Sequence, residues 1–152
     1  MTQGRLSRRI IADRIALVET MAAEIRALPL SDQEVFFADR RNVWAAESCL
    51  RRALEALLDA GRHILAKGFG VGVTEYREIA ALLHEKGVLA PDQSKLLRQM
   101  AGYRNRMVHF YHEVSKEELL AICTEHLEDI NIILSALKEW LLAHPEMLDE
   151  HL

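Results

Sequence analysis

Apolar residues recur at alternating steps of three and four along most of the chain, the spacing that keeps side chains on one face of an α-helix. The first stripe predicts a helix over about residues 6 to 28, which Pro29 ends. The second stripe continues from Val43 to Ile64 and predicts a longer helix over about residues 40 to 67. Glycines at positions 68, 70 and 72 end this helix, so we interpret the segment around them as a connector.

Local start and stop signals predict the shorter helices between these stripes. Ser31 and Glu34 have the spacing of a capping box, in which each side chain satisfies a free backbone N–H at a helix start. A third helix is predicted up to about Lys86, with Thr74 as its N-terminal cap and Gly87 as its end. A fourth helix begins at Pro91, since proline is favoured in the first turn.

The C-terminal third of the chain carries one long apolar stripe. Ser115 and Glu118 form another capping box, and the residues that follow predict a fifth helix that ends near His144. A second apolar row lies beside this stripe, and the two together form a surface wider than one partner helix covers. The second row consists of Leu119, Ile122, Ile133 and Trp140. The excess predicts oligomerisation, although a thick core within one chain would produce the same pattern.

The composition agrees with a helical domain. The chain has 152 residues, half of them hydrophobic and 28% charged, with only 7 glycines and 3 prolines. So few turn residues argue against a many-turned sandwich or barrel, and no segment has the pattern of a convincing strand. We therefore predict a single all-α domain over residues 1–152, built as a bundle of four to five helices joined by short loops.

The cysteine usage and the absence of long apolar runs bear on location. Cys49 and Cys123 are isolated and lack a CxxC spacing, which predicts reduced thiols in a core. No apolar run approaches the about 18 residues that span a bilayer. The Arg-rich start also contains acidic residues, which a transit peptide lacks. Together these features predict a soluble, cytoplasmic chain without a membrane anchor.

The charge is unevenly distributed. The formal net charge is −4, which argues against a polycationic nucleic-acid binder as a whole. However, the segment from Ser94 to His112 contains no Asp or Glu, while Lys95, Arg98, Arg104 and Arg106 give it four positive charges, so the rest of the chain carries −8. The sequence thus predicts a local basic patch on the fourth helix.

The same helix has an unusual polar pattern. Its predicted core stripe is Leu96, Met100, Tyr103, Met107, Phe110 and Val114. Asn105, His109 and His112 then fall on the opposite face, and Arg104 lies on the flank, about 140° around the helix from His109. Arg104 and His109 can meet at one atom only if the helix kinks between them or if a second protomer supplies one of the two.

Simpler interpretations of these residues stay open at this point. His109 and His112 can be solvated surface histidines, with Arg104 lying along the edge of the stripe. A metal site on the two histidines is disfavoured, because Glu113 is a poor third ligand and the nearby positive charge repels a cation. We therefore predict no metal and no cofactor.

Other kinds of catalytic site find little support in the sequence. Neither cysteine lies beside a basic or histidine-rich segment, which argues against a cysteine nucleophile. Glu47 and Glu55 are interpreted as ordinary surface carboxylates of the second helix, so paired-carboxylate chemistry is not indicated.

The segment from Arg104 to Tyr111 carries a resemblance to a known family. The motif is Arg104, four intervening residues, His109, one intervening residue and Tyr111. This spacing reproduces the signature of HepT-like toxins, a branch of the HEPN superfamily of helical RNases. The match includes the Arg-Asn and Val-His pairs. The resemblance extends from the second predicted helix into the fifth, so it covers most of the chain.

This resemblance implies a metal-independent endoribonuclease of a type VII toxin–antitoxin system. In such enzymes the ribose 2′-OH attacks the neighbouring phosphate and leaves a cyclic phosphate. His109 would transfer protons, Arg104 would stabilise the phosphoryl oxygens, and Asn105 would support them. Lys95, Arg98, Arg106 and His112 would contact RNA. The resemblance also implies a HEPN-type up-down helical bundle that dimerises, since family members usually place two motifs together at a dimer axis.

The resemblance also implies a partner. In HepT-like systems a minimal nucleotidyltransferase of the MntA type forms a hetero-oligomer with the toxin and inactivates it by transferring AMP to the motif tyrosine, here Tyr111. The plain alternative is that Tyr111 extends an apolar flank of the helix. An alternative function, from a different class, is a non-catalytic helical module that binds a nucleotide or docks a nucleotidyltransferase. The intact Arg104, His109 and Tyr111 favour the enzyme.

Overall fold

The computed structural model describes residues 5–109, 114–149 and 151, without the side chain of His109. Within this part of the chain there are seven α-helices and two very short strands. In chain order they are β1 (Leu6–Ser7), α1 (Arg8–Arg26), α2 (Gln33–Ala38), α3 (Arg40–His63), α4 (Ile79–Glu85), α5 (Pro91–His109), α6 (Lys116–Glu125), α7 (Leu127–Ala143) and β2 (Leu148–Asp149). None of the described helices is both long enough and apolar enough to cross a membrane.

Two predicted helix starts differ in detail from the structure. The cap of α2 is Asp32, whose carboxylate accepts from the backbone N–H of Val35 at 3.2 Å, so Ser31 is not the capping residue. The predicted third helix begins as a short 3₁₀ turn, Tyr76–Glu78, before α4, and the Thr74 side chain caps neither. Its predicted end is confirmed, because Gly87 adopts a left-handed conformation with φ of +78°.

The predicted fifth helix is two helices. Ser115 caps α6 as expected, accepting from the backbone N–H of Glu118 at 3.1 Å. The chain then leaves helical geometry at His126, where φ is −117° and ψ is 2°, and α7 begins at the next residue. Asp129 lies 3.0 Å from the His126 ring and ties the break to the first turn of α7. Apolar spacing continues across the break, which explains why the sequence pattern does not reveal it.

Helix α3 is the centre of the bundle and contacts α1, α2, α4, α5, α6 and α7. Helix α5 packs on it through a face turned slightly from the predicted one. Met100 and Met107 are buried, as predicted, but Leu97 and Ala101 are buried as well, whereas Leu96 and Tyr103 are only partly buried. Because Arg104 follows Ala101 by three residues, this rotation directs Arg104 towards α3.

The second apolar row of the C-terminal region is covered within one chain. Leu119, Ile122, Ile133 and Trp140 are all buried in the core of the single protomer. The core of one chain is therefore enough to explain this row, and the prediction of oligomerisation loses the support that the row gave it.

The two strands were not predicted. They form a parallel pair in which Leu6 lies opposite Leu148 and Ser7 opposite Asp149. Each has only two residues, too few to produce an alternating apolar pattern in the sequence. The pair joins the two ends of the described chain beside the end of α3.

His63 connects this end of α3 to the N-terminal strand. Its Nε2 atom accepts from the backbone N–H of Ser7 at 2.9 Å, which requires an unprotonated nitrogen. Burial, and then the charge of Lys67, lower the pKa of His63 below its usual 6.5. The folded state thus binds fewer protons at this site than the unfolded state, so His63 stabilises the fold above about pH 6.5 and this contribution is lost as the pH falls.

We expect the free energy of unfolding to decrease between pH 7.5 and pH 5.5, and to decrease less in His63→Gln. Glutamine can accept the same N–H but does not titrate in this range. Urea unfolding at the two pH values measures the difference. An equal decrease in both proteins would assign the pH dependence to other groups.

Candidate active site

Arg104 is held by a carboxylate from another helix. Its Nε and Nη2 atoms donate to the same Oε2 atom of Glu55 in α3, at 3.0 and 2.9 Å. The two side chains are 18% and 25% exposed, so solvent screens this pair only partly. A two-bond contact of this kind fixes the plane of a guanidinium as well as its position.

Glu55 was predicted to be an ordinary surface carboxylate, and this is wrong. Besides binding Arg104, it accepts through Oε1 from Nη1 of Arg51 at 3.1 Å. By contrast, Glu47 on the same helix is exposed, as expected. The i,i+4 pair with Arg51 is visible in the sequence, but the contact with Arg104 joins residues 49 positions apart and has no local signal.

Asn105 and Glu55 bind different parts of the Arg104 guanidinium. Nη1 of Arg104 donates to Oδ1 of Asn105 at 3.2 Å. An arginine has five N–H donors, and the described contacts use two for Glu55 and one for Asn105. One N–H on each terminal nitrogen stays available, and phosphate oxygens are suitable acceptors for such donors.

Tyr76 joins Arg104 to a second arginine. The Cζ atom of Arg104 lies 4.6 Å from the centroid of the Tyr76 ring, and that of Arg62 lies 4.9 Å from it. The Tyr76 hydroxyl and Nη2 of Arg62 both donate to Oδ1 of Asp59, each at 2.6 Å. Burial, and then the hydrogen bond to Asp59, raise the pKa of Tyr76 to about 12, so its hydroxyl stays protonated at neutral pH. The sequence did not single out Tyr76, Arg62 or Asp59.

These residues border an open cleft of about 460 Å³ between the end of α3, the segment from Thr74 to Arg77 before α4, and α5. The lining residues are Arg62, Thr74, Glu75, Tyr76, Arg77, Arg104 and Asn105. Three of the seven are arginines, which favours an anionic ligand. The segment from Thr74 to Arg77, which was predicted as the start of the third helix and carried no functional prediction, supplies four of the seven lining residues.

The predicted basic patch is less positive than the sequence indicated. Arg106 forms two hydrogen bonds of 2.7 Å with the Glu118 carboxylate, which lower the pKa of Glu118, and Arg104 is bound by Glu55. Lys95 and Arg98 are exposed on α5 and have no ion pair among the described contacts. Two of the four charges thus face carboxylates from other helices.

The geometry of α5 bears on the question of how Arg104 and His109 could meet. The helix runs without interruption from Pro91 to His109, so both positions belong to one helix. Tyr111 and His112 lie outside the described residues, as do the side chain of His109 and the disfavoured metal ligand Glu113.

The described residues contain no cluster of three or more metal-ligating side chains. Cys49 is half-buried and Cys123 is buried, and both are free thiols, as predicted. Burial raises the pKa of Cys123 to about 12, which keeps its thiol protonated and disfavours it as a nucleophile.

Comparison with known proteins identifies the family. The sequence model described as "Ribonuclease HepT-like" matches residues 18–137. The mRNA nuclease HepT of Shewanella oneidensis is 29% identical over 90 residues, which cover 59% of this chain and 67% of that protein. The residues matched by the family model include all of α3, which carries Glu55, and all of α5, which carries Arg104.

Solved structures share the fold. A tri-AMPylated HEPN toxin of Shewanella oneidensis, solved in complex with an MNT antitoxin, is 25% identical with a TM-score of 0.76, and the alignment covers 86% of this chain and 97% of that one. The cytosolic protein YutE of Bacillus subtilis, whose function is unknown, has a TM-score of 0.77 at 17% identity over 95% of each chain, which shows the fold alone. These structures confirm the predicted HEPN-type helical fold. Because the family model matches most of the sequence, the chain belongs to the HepT-like family.

Proposed function

We propose that this protein is an endoribonuclease toxin that cleaves RNA without a metal ion. The observation that carries this proposal is the state of Arg104: Glu55 fixes its guanidinium, which lines a cleft with two other arginines, and one N–H on each of its terminal nitrogens has no partner among the described contacts. This residue begins an intact Arg-x4-His-x-Tyr motif in a HepT-like chain. A surface that only docks a partner has no need of an oriented guanidinium edge.

The proposed reaction uses the substrate's own nucleophile. A base removes the proton of the ribose 2′-OH, a bond forms between O2′ and phosphorus, and the bond from phosphorus to the 5′ oxygen breaks. The leaving oxygen takes up a proton, and the products are a 2′,3′-cyclic phosphate and a 5′-hydroxyl. His109 transfers the protons, because an imidazole titrates near neutral pH. Arg104 stabilises the charge on the phosphoryl oxygens, and Asn105 supports it.

The continuous α5 leads us to propose that two protomers build each site. Arg104 and His109 lie about 140° apart around one helix, so a single protomer does not direct both at one phosphate. In a homodimer with facing α5 helices, His109 of one protomer would approach Arg104 of its partner. Lys95, Arg98, Arg106 and His112 would then border the RNA path, with Arg106 exchanging Glu118 for a phosphate.

The purified protein tests this proposal directly. We expect cleavage of RNA in EDTA, with fragments that carry cyclic phosphate ends. DNA of the same sequence should stay intact, because it lacks the 2′-OH nucleophile. Absence of cleavage, or cleavage only after a divalent ion is added, would contradict the proposed reaction.

We also propose that an MntA-type minimal nucleotidyltransferase binds this toxin and inactivates it by transferring AMP to Tyr111. Tyr111 is two residues from His109, so an attached AMP would place bulk and a negative phosphate near the position of the RNA phosphate. The related Shewanella toxin, solved as a tri-AMPylated protein with its MNT antitoxin, supports this regulation.

Co-expression with the nucleotidyltransferase should add one or more AMP units to the wild-type chain and none to Tyr111→Phe, as measured by intact mass. Tyr103→Phe serves as the control, since Tyr103 is partly buried on α5 and binds Gln99. It should be modified like the wild type. A wild-type chain without added mass, or a Tyr111→Phe variant that is still modified and silenced, would contradict this regulation.

A further inference from the structure

Two arginines in the cleft belong to neither the motif nor the predicted RNA-binding set. Arg62 comes from the last turn of α3, and Arg77 comes from the 3₁₀ turn before α4. Both line the same cleft as Arg104. The Cζ atoms of Arg62 and Arg104 lie 4.9 and 4.6 Å from one ring centroid, so the two cations are neighbours.

Both arginines keep donors available for a ligand. Arg62 uses only Nη2 in the described contacts, with Asp59 and the Tyr76 hydroxyl, and its Nε and Nη1 hydrogens have no partner there. Arg77 uses only Nε, with Glu75 at 2.6 Å, so both of its terminal nitrogens are available. Together they offer more donors than the carboxylates beside them accept.

The position of Arg62 is fixed before any ligand arrives. Asp59 accepts from both Arg62 and Tyr76 through one oxygen, and the Tyr76 ring lies under the Arg62 guanidinium. A fixed cation loses less conformational entropy on binding than a free surface side chain. Arg77 is 73% exposed and pairs only with Glu75, so it can turn towards a ligand.

We propose that Arg62 and Arg77 form a second phosphate subsite, which holds the phosphodiester next to the one bound by Arg104. This proposal rests on the proposed RNase function and assigns the substrate as a strand with at least two consecutive phosphates. Thr74 and Asn105, whose side chains can donate hydrogen bonds, line the same cleft. Because guanidinium groups already lie over the Tyr76 ring, this ring is not a free stacking platform for a base. The subsite therefore recognises the backbone and tolerates any base.

Substrates of different length and matched arginine variants test this subsite. Arg62→Gln and Arg77→Gln are compared with Arg41→Gln, whose arginine is 83% exposed and pairs with Asp39 two residues earlier, as Arg77 pairs with Glu75. We expect KM for a hexaribonucleotide to rise about fivefold to tenfold in each cleft variant, with kcat within about twofold. On a dinucleoside monophosphate, which has one phosphate, the cleft variants should match the wild type. Arg41→Gln should match it on both substrates.

Binding of a 2′-O-methyl hexanucleotide, which cannot be cleaved, separates this proposal from the proposed function. Each cleft variant should lower the slope of log affinity against log salt by about 0.7, the contribution of one contact to a single strand.

The outcomes for the two proposals differ. If the wild type cleaves RNA and the cleft variants bind and cleave like it, the subsite is wrong and the RNase proposal stands. If the wild type does not cleave but the variants weaken binding, the subsite stands and the RNase proposal falls. Displacement of the hexanucleotide by equimolar AMP would assign the cleft to a free nucleotide and overturn the subsite. Arg77 is at the surface, so its variant keeps the test valid if Arg62→Gln does not fold.

Discussion

Alanine at Arg104 or at His109 is expected to lower the rate of RNA cleavage by about 10³-fold. Arg104 supplies the charge that stabilises the phosphoryl oxygens, and removing one such donor group typically costs 10² to 10³ in kcat. His109 transfers the protons, so its loss removes acid–base catalysis as well. Arg104→Lys should also stay nearly inactive, because an ammonium group cannot bind Glu55 and a phosphate through two edges at once.

The fold should survive these substitutions. When Arg104 is lost, the Glu55 carboxylate keeps Arg51 as a partner and is not left as an unpaired buried charge. Cleavage in EDTA measures the rates, and circular dichroism with thermal unfolding measures the fold. Arg41→Ala, which removes an exposed arginine far from the motif, is the control and should cleave like the wild type. Substantial activity in folded Arg104→Ala would contradict its role.

Alanine at Glu55 is expected to lower kcat by about 10²-fold while KM changes by less than about threefold. Glu55 is a positioning residue: it holds two of the five N–H groups of Arg104 and thereby sets the plane of the guanidinium. Without it, the positive charge stays in the cleft and still attracts RNA, but the edge that binds the phosphate is no longer fixed. Steady-state kinetics on one oligoribonucleotide separates the two parameters.

Two further variants distinguish a loss of Arg104 orientation from a general disturbance of helix α3. Glu47→Ala removes an exposed carboxylate from the same helix and should leave both parameters unchanged. Glu55→Gln should recover part of the lost kcat, because the amide oxygen can still accept from Arg104. If Glu55→Ala cleaves faster or binds RNA more tightly than the wild type, the carboxylate restrains Arg104 instead of positioning it.

The helices were largely predictable because their signals are local. Apolar spacing placed α1 and α3, and a first-turn proline and a left-handed glycine marked the start of α5 and the end of α4. The features that sequence missed are of two kinds. The break at His126 leaves the apolar spacing intact, and the two-residue strands are too short to form a pattern.

Only the part of the candidate site that lies within one segment could be predicted from the sequence. Its motif lies within one segment, so Arg104 and Asn105 were identified directly. Glu55 and Tyr76 reach Arg104 only through the packing of α5 and the connector on α3, and the rotation of α5 about its axis decides which side chains meet. The predicted core stripe of α5 was displaced by about one residue from the buried face that the structure shows. This small error was enough to place Arg104 at the edge of the stripe and to miss its contact with Glu55. Such contacts depend on tertiary packing and have no fixed spacing.

The central claim is that Arg104 of one protomer and His109 of its partner act on the same phosphate. Co-expression of Arg104→Ala and His109→Ala chains with different affinity tags allows the mixed dimer to be isolated. In this dimer one of the two sites has both groups intact, so we predict about half of the wild-type cleavage rate in EDTA, although each variant alone is inactive. A mixed dimer as inactive as its parents, or a wild-type chain that cleaves as a monomer, would contradict the shared site.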